Sequence, residues 1–313
     1  MFNVKQYCNR KEYKANQKRM HSLNKIGIIG TGMLGSAVAT RLLKSGYQLT
    51  VYNRTREKAD RLKTLGASVV DSPRDVAKSS DLVITIVKDA QAVEAVSFGK
   101  DGIADGKHDG LVVADMSTIN PVSSREIAKK YAESGIPMLD TPVMGGPTQA
   151  ENGELVVMVG GNKTVYENHK KIFDTIGSKT FYLGENGSGH AMKLAMNLQI
   201  SMLALSLSES ITLVRGAGLE PEIFLEILNS TYFKTGMSVN KGPKMIKGDF
   251  KPTFTLKMMK KDLDTINQAA EKFNLSLPMT TLANRLYQDA IENGFGELDY
   301  TGILEFVKKI SKK

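Results

Sequence analysis

The segment KIGIIGTGMLGSAVATRLLKSG, residues 25–46, constrains this chain more than any other. An apolar, β-branched run (26–30) enters Gly30-x-Gly32-x-x-Gly35, and an amphipathic pattern over 33–45 leaves it. Each glycine answers a separate need. Gly30 permits a tight turn, Gly32 lets a backbone approach a pyrophosphate, and Gly35 lets a helix pack closely on its strand. The helix start offers free N–H groups and a positive dipole end to phosphates. The motif is short, but a strand before it, a helix after it and a second strand-like run, QLTVY at 48–52, give it context. Thr31, Met33 and Leu34 inside the loop, with Val87 and Lys88 at the end of a later apolar run, complete the expected nucleotide contacts.

The end of the second run bears on which nicotinamide is held. In NAD-binding chains an acidic residue about 20 positions after the loop binds the ribose 2′-hydroxyl. Here the run ends Val51-Tyr52-Asn53-Arg54-Thr55, with no carboxylate. A guanidinium can pair bidentately with a 2′-phosphate, and Asn53 and Thr55 are neutral partners. NADP(H) is therefore preferred, with NAD(H) as the second choice and a plain surface role for Arg54 as the alternative.

Further β-branched runs lie at 68–70, 81–87, 111–115, 138–143, 155–160 and 180–183. Helical patterns separate them at 56–65, 74–79, 90–97, 121–133 and 163–175. Strands alternating with helices imply a mostly parallel sheet buried on both faces. The chain then changes character. Residues 188–216 form one long proline-free apolar stretch, and 221–229, 255–273, 278–293 and 300–311 show only helical periodicity. The expected architecture is α/β: a Rossmann-type, mostly parallel sheet domain over 24–186, then over 187–313 a long interdomain helix and an all-α C-terminal domain. Residues 1–23 read as a basic extension.

The 313 residues are 41% hydrophobic and 24% charged, which excludes wholesale disorder. A single cysteine, Cys8, excludes an internal disulfide framework, and four histidines without ligand spacing argue against a metal site. The net charge of +9 invites a nucleic-acid reading. Residues 1–19, however, carry +5 of it, leaving +4 for the other 294. The extension lacks the apolar centre of a secretory signal. No uninterrupted apolar run approaches about 18 residues, so no membrane span and a cytoplasmic location are expected.

Four blocks then resemble, in order, those of the β-hydroxyacid dehydrogenase family (3-hydroxyisobutyrate dehydrogenase-like enzymes, with a glyoxylate and succinic semialdehyde reductase branch). They are GIIGTGMLG, DMST at 115–118, TPVMGGPTQAENGEL at 141–155, and GSGHAMKLAMN at 187–197; FTLKMMKKDL at 254–263 resembles a fifth. The resemblance covers about residues 25–310. It implies that Lys193 is the catalytic lysine and Asn197 its companion. It gives Ser117, with Asp115 and Thr118, to substrate and nicotinamide, and the Gly145-Gly146 turn to the substrate carboxylate. Lys261 would contact the cofactor, and Phe254 and Asp262 would lie around the substrate. It implies a homodimer or homotetramer acting on a small carboxylate-bearing aldehyde or hydroxy-acid. The chain departs from the family at Met144, where a serine is usual, and at Gln149, where a small residue is usual.

The residue chemistry fits this. Carbonyl reduction needs a proton on oxygen, and a lysine can both donate it and stabilise the developing alkoxide. Lys193 and Asn197 are four apart and share a helix face. The competing structural readings are a snorkelling lysine at 193, strand-end hydroxyls capping a turn at Ser117 and Thr118, core packing at Phe254, and a solvated face for Lys257, Lys260, Lys261 and Asp262. Met192, Met196 and Met202 read as helix packing. Two other functions remain open: an imine or other C=N reductase, motivated by Met144, and a non-catalytic NADP- or nucleic-acid-binding protein using the basic extension.

Overall fold

The structure, a computed structural model, describes residues 24–311. The basic extension therefore lies outside the described residues. Two compact units are present: one comprises the described residues up to Ser117 with Arg125–Ser188, the other Thr118–Ser124 with the chain from Gly189 onward.

The first unit is built on a nine-stranded sheet. Its strands are β1 (Lys25–Ile29), β2 (Gln48–Tyr52), β3 (Ser68–Val69), β4 (Leu82–Thr85), β5 (Val112–Asp115), β6 (Met138–Asp140), β7 (Val143–Met144), β8 (Leu155–Gly161) and β9 (Gly177–Tyr182). The order is β3-β2-β1-β4-β5-β6-β8-β7, with β9 paired to β8. All pairs from β3 to β6 are parallel; β8 runs antiparallel to β6 and β7. Nucleotide-binding sheets share the order 3-2-1-4-5-6 and take their ligand beyond the carboxyl ends of the strands, where the order reverses. Here that reversal lies at β1 and β4. Every residue of β4 and β5 is buried, as parallel strands covered on both faces require. Ile26, Ile28, Val51, Leu82, Ile84 and Ala114 form the centre of the core.

The helices of this unit are α1 (Met33–Lys44), α2 (Arg56–Asp60), α3 (Pro73–Lys78), α4 (Ala90–Phe98), α5 (Pro121–Glu133, whose first turn to Ser124 falls in the second unit), α6 (Pro147–Asn152) and α7 (Lys163–Ile176). Their starts follow local chemistry. Ser72, Asp89 and Asn162 cap α3, α4 and α7 by accepting from the N–H three residues on. Three sequence expectations change. The helix read over 56–65 stops at Asp60 and ends in a 3₁₀ turn at Lys63–Leu65. The run at 138–143 splits into β6 and β7, because Pro142 has no N–H for the ladder. Helix α6, hidden inside the fourth motif, was not expected.

The second unit is helical: α8 (Ser188–Gly216), α9 (Pro221–Asn229), α10 (Gly236–Asn240), α11 (Gly242–Lys247), α12 (Leu256–Lys272), α13 (Pro278–Ala290) and α14 (Ile303–Ile310). Leu205, Ile211, Leu263, Ile266, Tyr287 and Leu304 anchor its core. By length and composition alone, α8 would suffice to cross a bilayer, which corrects the expectation from uninterrupted runs. Isolated polar residues such as Lys193 and Asn197 break the run without lowering its average much. Within this chain 44% of its most apolar window is buried.

Candidate active site

Two clusters carry the expected site residues, one in each unit. The first begins where β1 ends. Gly30 has φ +100, and a Cβ there would overlap the carbonyl oxygen of Ile86. A Cβ on Gly35 would overlap the carbonyl oxygen of Gly30, so α1 approaches its strand as closely as the motif demands. Around Gly32 nothing lies within 4 Å of where a Cβ would stand. Gly32 is also the N-cap of α1 and brings no side-chain cap to the first-turn N–H groups. The hydroxyl of Thr31 is buried and has no hydrogen-bond partner among the described residues. An open approach, uncapped N–H groups and an orphaned hydroxyl together fit a phosphate-bearing cofactor. Met33 is exposed, and Leu34 packs against the core.

Asn53 turns out to hold the loop itself. Its Oδ1 accepts from the Thr31 N–H at 3.0 Å and its Nδ2 donates to the Thr55 carbonyl at 2.8 Å. Arg54 is exposed and makes no ion pair among the described residues, whereas the neighbouring Arg56 pairs with Asp60 and Asp71.

At the end of β5, Asp115 is fully buried, and its Oδ1 accepts from the Thr85 hydroxyl at 2.6 Å and the Ser117 N–H at 3.2 Å. Ser117 in turn accepts from the Val87 N–H at 3.0 Å. The Val87 N–H and the Ser117 hydroxyl, expected separately as cofactor and substrate contacts, are thus joined. Lys88 is 81% exposed, 3.8 Å from Asp89.

The Gly145-Gly146 turn follows Met144 at the end of β7. Gly145 has φ +122, and a Cβ there would press on Leu155. The Gly146 N–H donates to Oε1 of Gln149 at 3.0 Å. Gln149, noted in the sequence only for its size, thus occupies an N–H that the resemblance offers to a substrate carboxylate.

The second cluster lies in the helical unit. Lys193 and Asn197 occupy successive turns of α8. Asn197 is 3% exposed and its Nδ2 donates to Oδ2 of Asp262 at 2.5 Å. Asp262 on α12 is 1% exposed, and its Oδ1 pairs with Lys261 Nζ at 2.6 Å. Lys261 Nζ also donates to the Thr118 carbonyl at 2.9 Å. Burial pushes the Lys193 amine down to about 8; the Asp262 carboxylate pulls it up and the Lys261 cation pushes it down further. An amine poised there can give or take a proton near neutrality. Phe254 meets Tyr300 edge-on, centroids 5.9 Å apart, against the helical core. Upstream on α8, the fully buried His190 bonds the buried Ser124 at 2.9 Å.

Family models match the two parts of the chain in turn. A model of the NAD binding domain of 6-phosphogluconate dehydrogenase matches residues 25–184. A second, for the NAD-binding segment of NADP-dependent 3-hydroxyisobutyrate dehydrogenase, matches 187–307. Glyoxylate/succinic semialdehyde reductase 2, chloroplastic, of Arabidopsis thaliana is 35% identical over 283 residues, covering 90% of this chain and 79% of that one. The chain belongs to the β-hydroxyacid dehydrogenase family. It is thereby an NAD(P)-dependent oxidoreductase of the hydroxyacid dehydrogenase and reductase class. The 2-hydroxy-3-oxopropionate reductase of Escherichia coli is 32% identical over 281 residues, covering 90% of this chain and 96% of that one. A crystal structure of 3-hydroxyisobutyrate dehydrogenase from Salmonella typhimurium superposes with a TM-score of 0.82 at 25% identity, covering 90% and 99% of the two chains.

Proposed function

We propose that this family member interconverts a short-chain aldehyde-acid and its hydroxy-acid, of the glyoxylate, succinic semialdehyde or 3-hydroxyisobutyrate type, with NADP(H) preferred and Lys193 as general acid and base. The observation that carries the reading is the placement of Lys193 on one helix face with Asn197, which Asp262 holds in place; burial lowers its amine to about 8. A bound nicotinamide supplies the hydride. Residues 30–35, with Arg54 and Thr55, bind and orient that cofactor. Ser117 and the Gly145-Gly146 turn, whose Gly146 N–H Gln149 must release, seat the substrate carboxyl end. In reduction, protonated Lys193 donates to the carbonyl oxygen as it gains negative charge. In oxidation, the neutral amine accepts the hydroxyl proton. Cytoplasmic residence and a homo-oligomeric state belong to the same proposal.

The test is a panel of small aldehyde-acids and hydroxy-acids assayed with NADP(H) and NAD(H). Lys193→Ala is expected to lower kcat for reduction by about 10²–10⁴-fold while NADPH still binds. The pH profile has a defined sign. Reduction needs the ammonium, so its rate falls as pH rises through about 8; oxidation needs the free amine and rises over the same range. Unchanged turnover in Lys193→Ala refutes the assignment.

A further inference from the structure

We propose that Asp262 is a positioning residue, a buried carboxylate that fixes the orientation of Asn197 and acts on Lys193 from behind it rather than contacting substrate. This deepens the function proposed above and rests on Lys193 being its acid and base.

The geometry comes first. Oδ2 of Asp262 accepts from Asn197, and Oδ1, buried and without a hydrogen-bond partner among the described residues, lies 2.6 Å from the Lys261 ammonium as an ion pair. With its side chain 2% exposed, the group has little surface left for a ligand. A carboxylate only accepts, so it selects the Nδ2 end of the Asn197 amide and leaves Oδ1 as the outward acceptor. The side chain one turn from Lys193 is thereby given one orientation of two. Lys261 is held in turn by the Thr118 carbonyl, so the carboxylate is fixed from both sides.

The electrostatics follow from the same contacts. Within the helical unit, α12 sets two charges against Lys193, the Asp262 carboxylate and the Lys261 ammonium. Lys260, on the same helix, is paired with Asp264. On α8 itself, His190 lies one turn earlier, bonded to Ser124. The segment Thr118–Ser124, which bonds both Lys261 and His190, has no ionisable side chain. Removing the Asp262 charge takes away the group that favours the ammonium and leaves the Lys261 cation uncompensated. Both changes act in one direction.

The experiment measures the titration midpoint of Lys193 by NMR of ¹³C-labelled lysine Cε, assigned by its absence in Lys193→Arg. It is run on the full chain beside the pH profile of reduction. Asp262→Asn is expected to lower the midpoint by about one pH unit or more and to move the falling limb of kcat/KM equally. Lys261→Met, which removes the opposing cation, is expected to move the midpoint up. It keeps the claim testable if Asp262→Asn does not fold. A midpoint that stays in place in Asp262→Asn while KM for the aldehyde-acid rises makes Asp262 a substrate contact and overturns the proposal. A fall in Tm with no movement of the midpoint makes it merely structural, with the same consequence. The NMR midpoint does not depend on turnover, so an inactive wild-type chain would count against the proposed reaction and leave the electrostatic claim to stand or fall separately.

Discussion

In the function proposed above, the cofactor choice turns on the side chain of Arg54. No acid stands at the ribose position, and the neutral neighbour Asn53 is occupied in tying the glycine loop to the Thr55 carbonyl. An exposed guanidinium without an ion pair among the described residues can form charge-assisted bonds to a 2′-phosphate, each worth about 1.5–3 kcal/mol. Arg54→Ala is therefore expected to raise KM for NADPH by about 10–100-fold while leaving KM for NADH nearly unchanged. Steady-state kinetics with both cofactors checks it; equal losses for the two would show that Arg54 supports the loop and reads no phosphate. At this scale the sequence was most legible where the chemistry is local. The glycine spacing and the Lys193/Asn197 pair each lie within one short segment. It was least legible where partners are far apart in the chain. Asn197 and Asp262 are 65 residues apart, and Thr31 and Asn53 are 22 apart, so no spacing rule announces their bonds. The occupation of the Gly146 N–H by Gln149 was within local reach, since a glutamine at the third helical position often closes back on the N-cap. The helix that creates this position, α6, is only six residues long and shows no periodicity.

Elements were legible in proportion to their length and to the clarity of their ends. Helices α5, α8 and α9 begin and end where the sequence predicts, because Pro121 and Pro221 open two of them and Gly216-Ala217-Gly218 follows the third. The stretch from Gly236 to Lys247 was missed: two helices of five and six residues meet there, held by contacts more than by pattern. Asp299 is one such contact. It is 2% exposed, pairs with Lys241 at 2.8 Å beside α11, and accepts from the hydroxyls of Thr253 and Thr301. Burial raises its carboxyl pKa, but the bonds from Lys241, Thr301 and Thr253 outweigh this and hold it below the usual carboxylate range. Because the folded value is the lower one, the stabilisation is complete above the unfolded value and is lost as pH falls through the folded one. Asp299→Ala is expected to cost about 2–4 kcal/mol in urea unfolding at pH 7, since it leaves the Lys241 ammonium and two hydroxyls without their acceptor. The difference from wild type should shrink as both are acidified; a difference independent of pH would assign the loss to packing instead.

For the whole molecule, the distribution of exposed apolar side chains carries the argument. Of the 19 large hydrophobic residues exposed among the described residues, 16 belong to the helical unit and three to the sheet unit. Leu213, Leu219, Ile223, Ile227, Met279 and Leu282 are each more than half exposed. Single exposed apolar side chains are ordinary, but from this concentration in one unit of one chain we expect an association surface. It also explains how α8 can be apolar enough to resemble a membrane span while only 44% of its most apolar window is buried within one chain. A second copy of the chain offers the same side chains, so a symmetric interface would cover both sets at once. The expected result is a dimer or a larger even assembly in light scattering at micromolar concentration. The double substitution Leu213→Glu and Ile223→Glu should shift it toward monomer, since charges buried without partners disfavour the contact. NADPH binding by the sheet unit should survive that shift, because neither residue belongs to it. A wild-type chain that scatters as a monomer at all concentrations would remove the interface and leave these side chains unexplained.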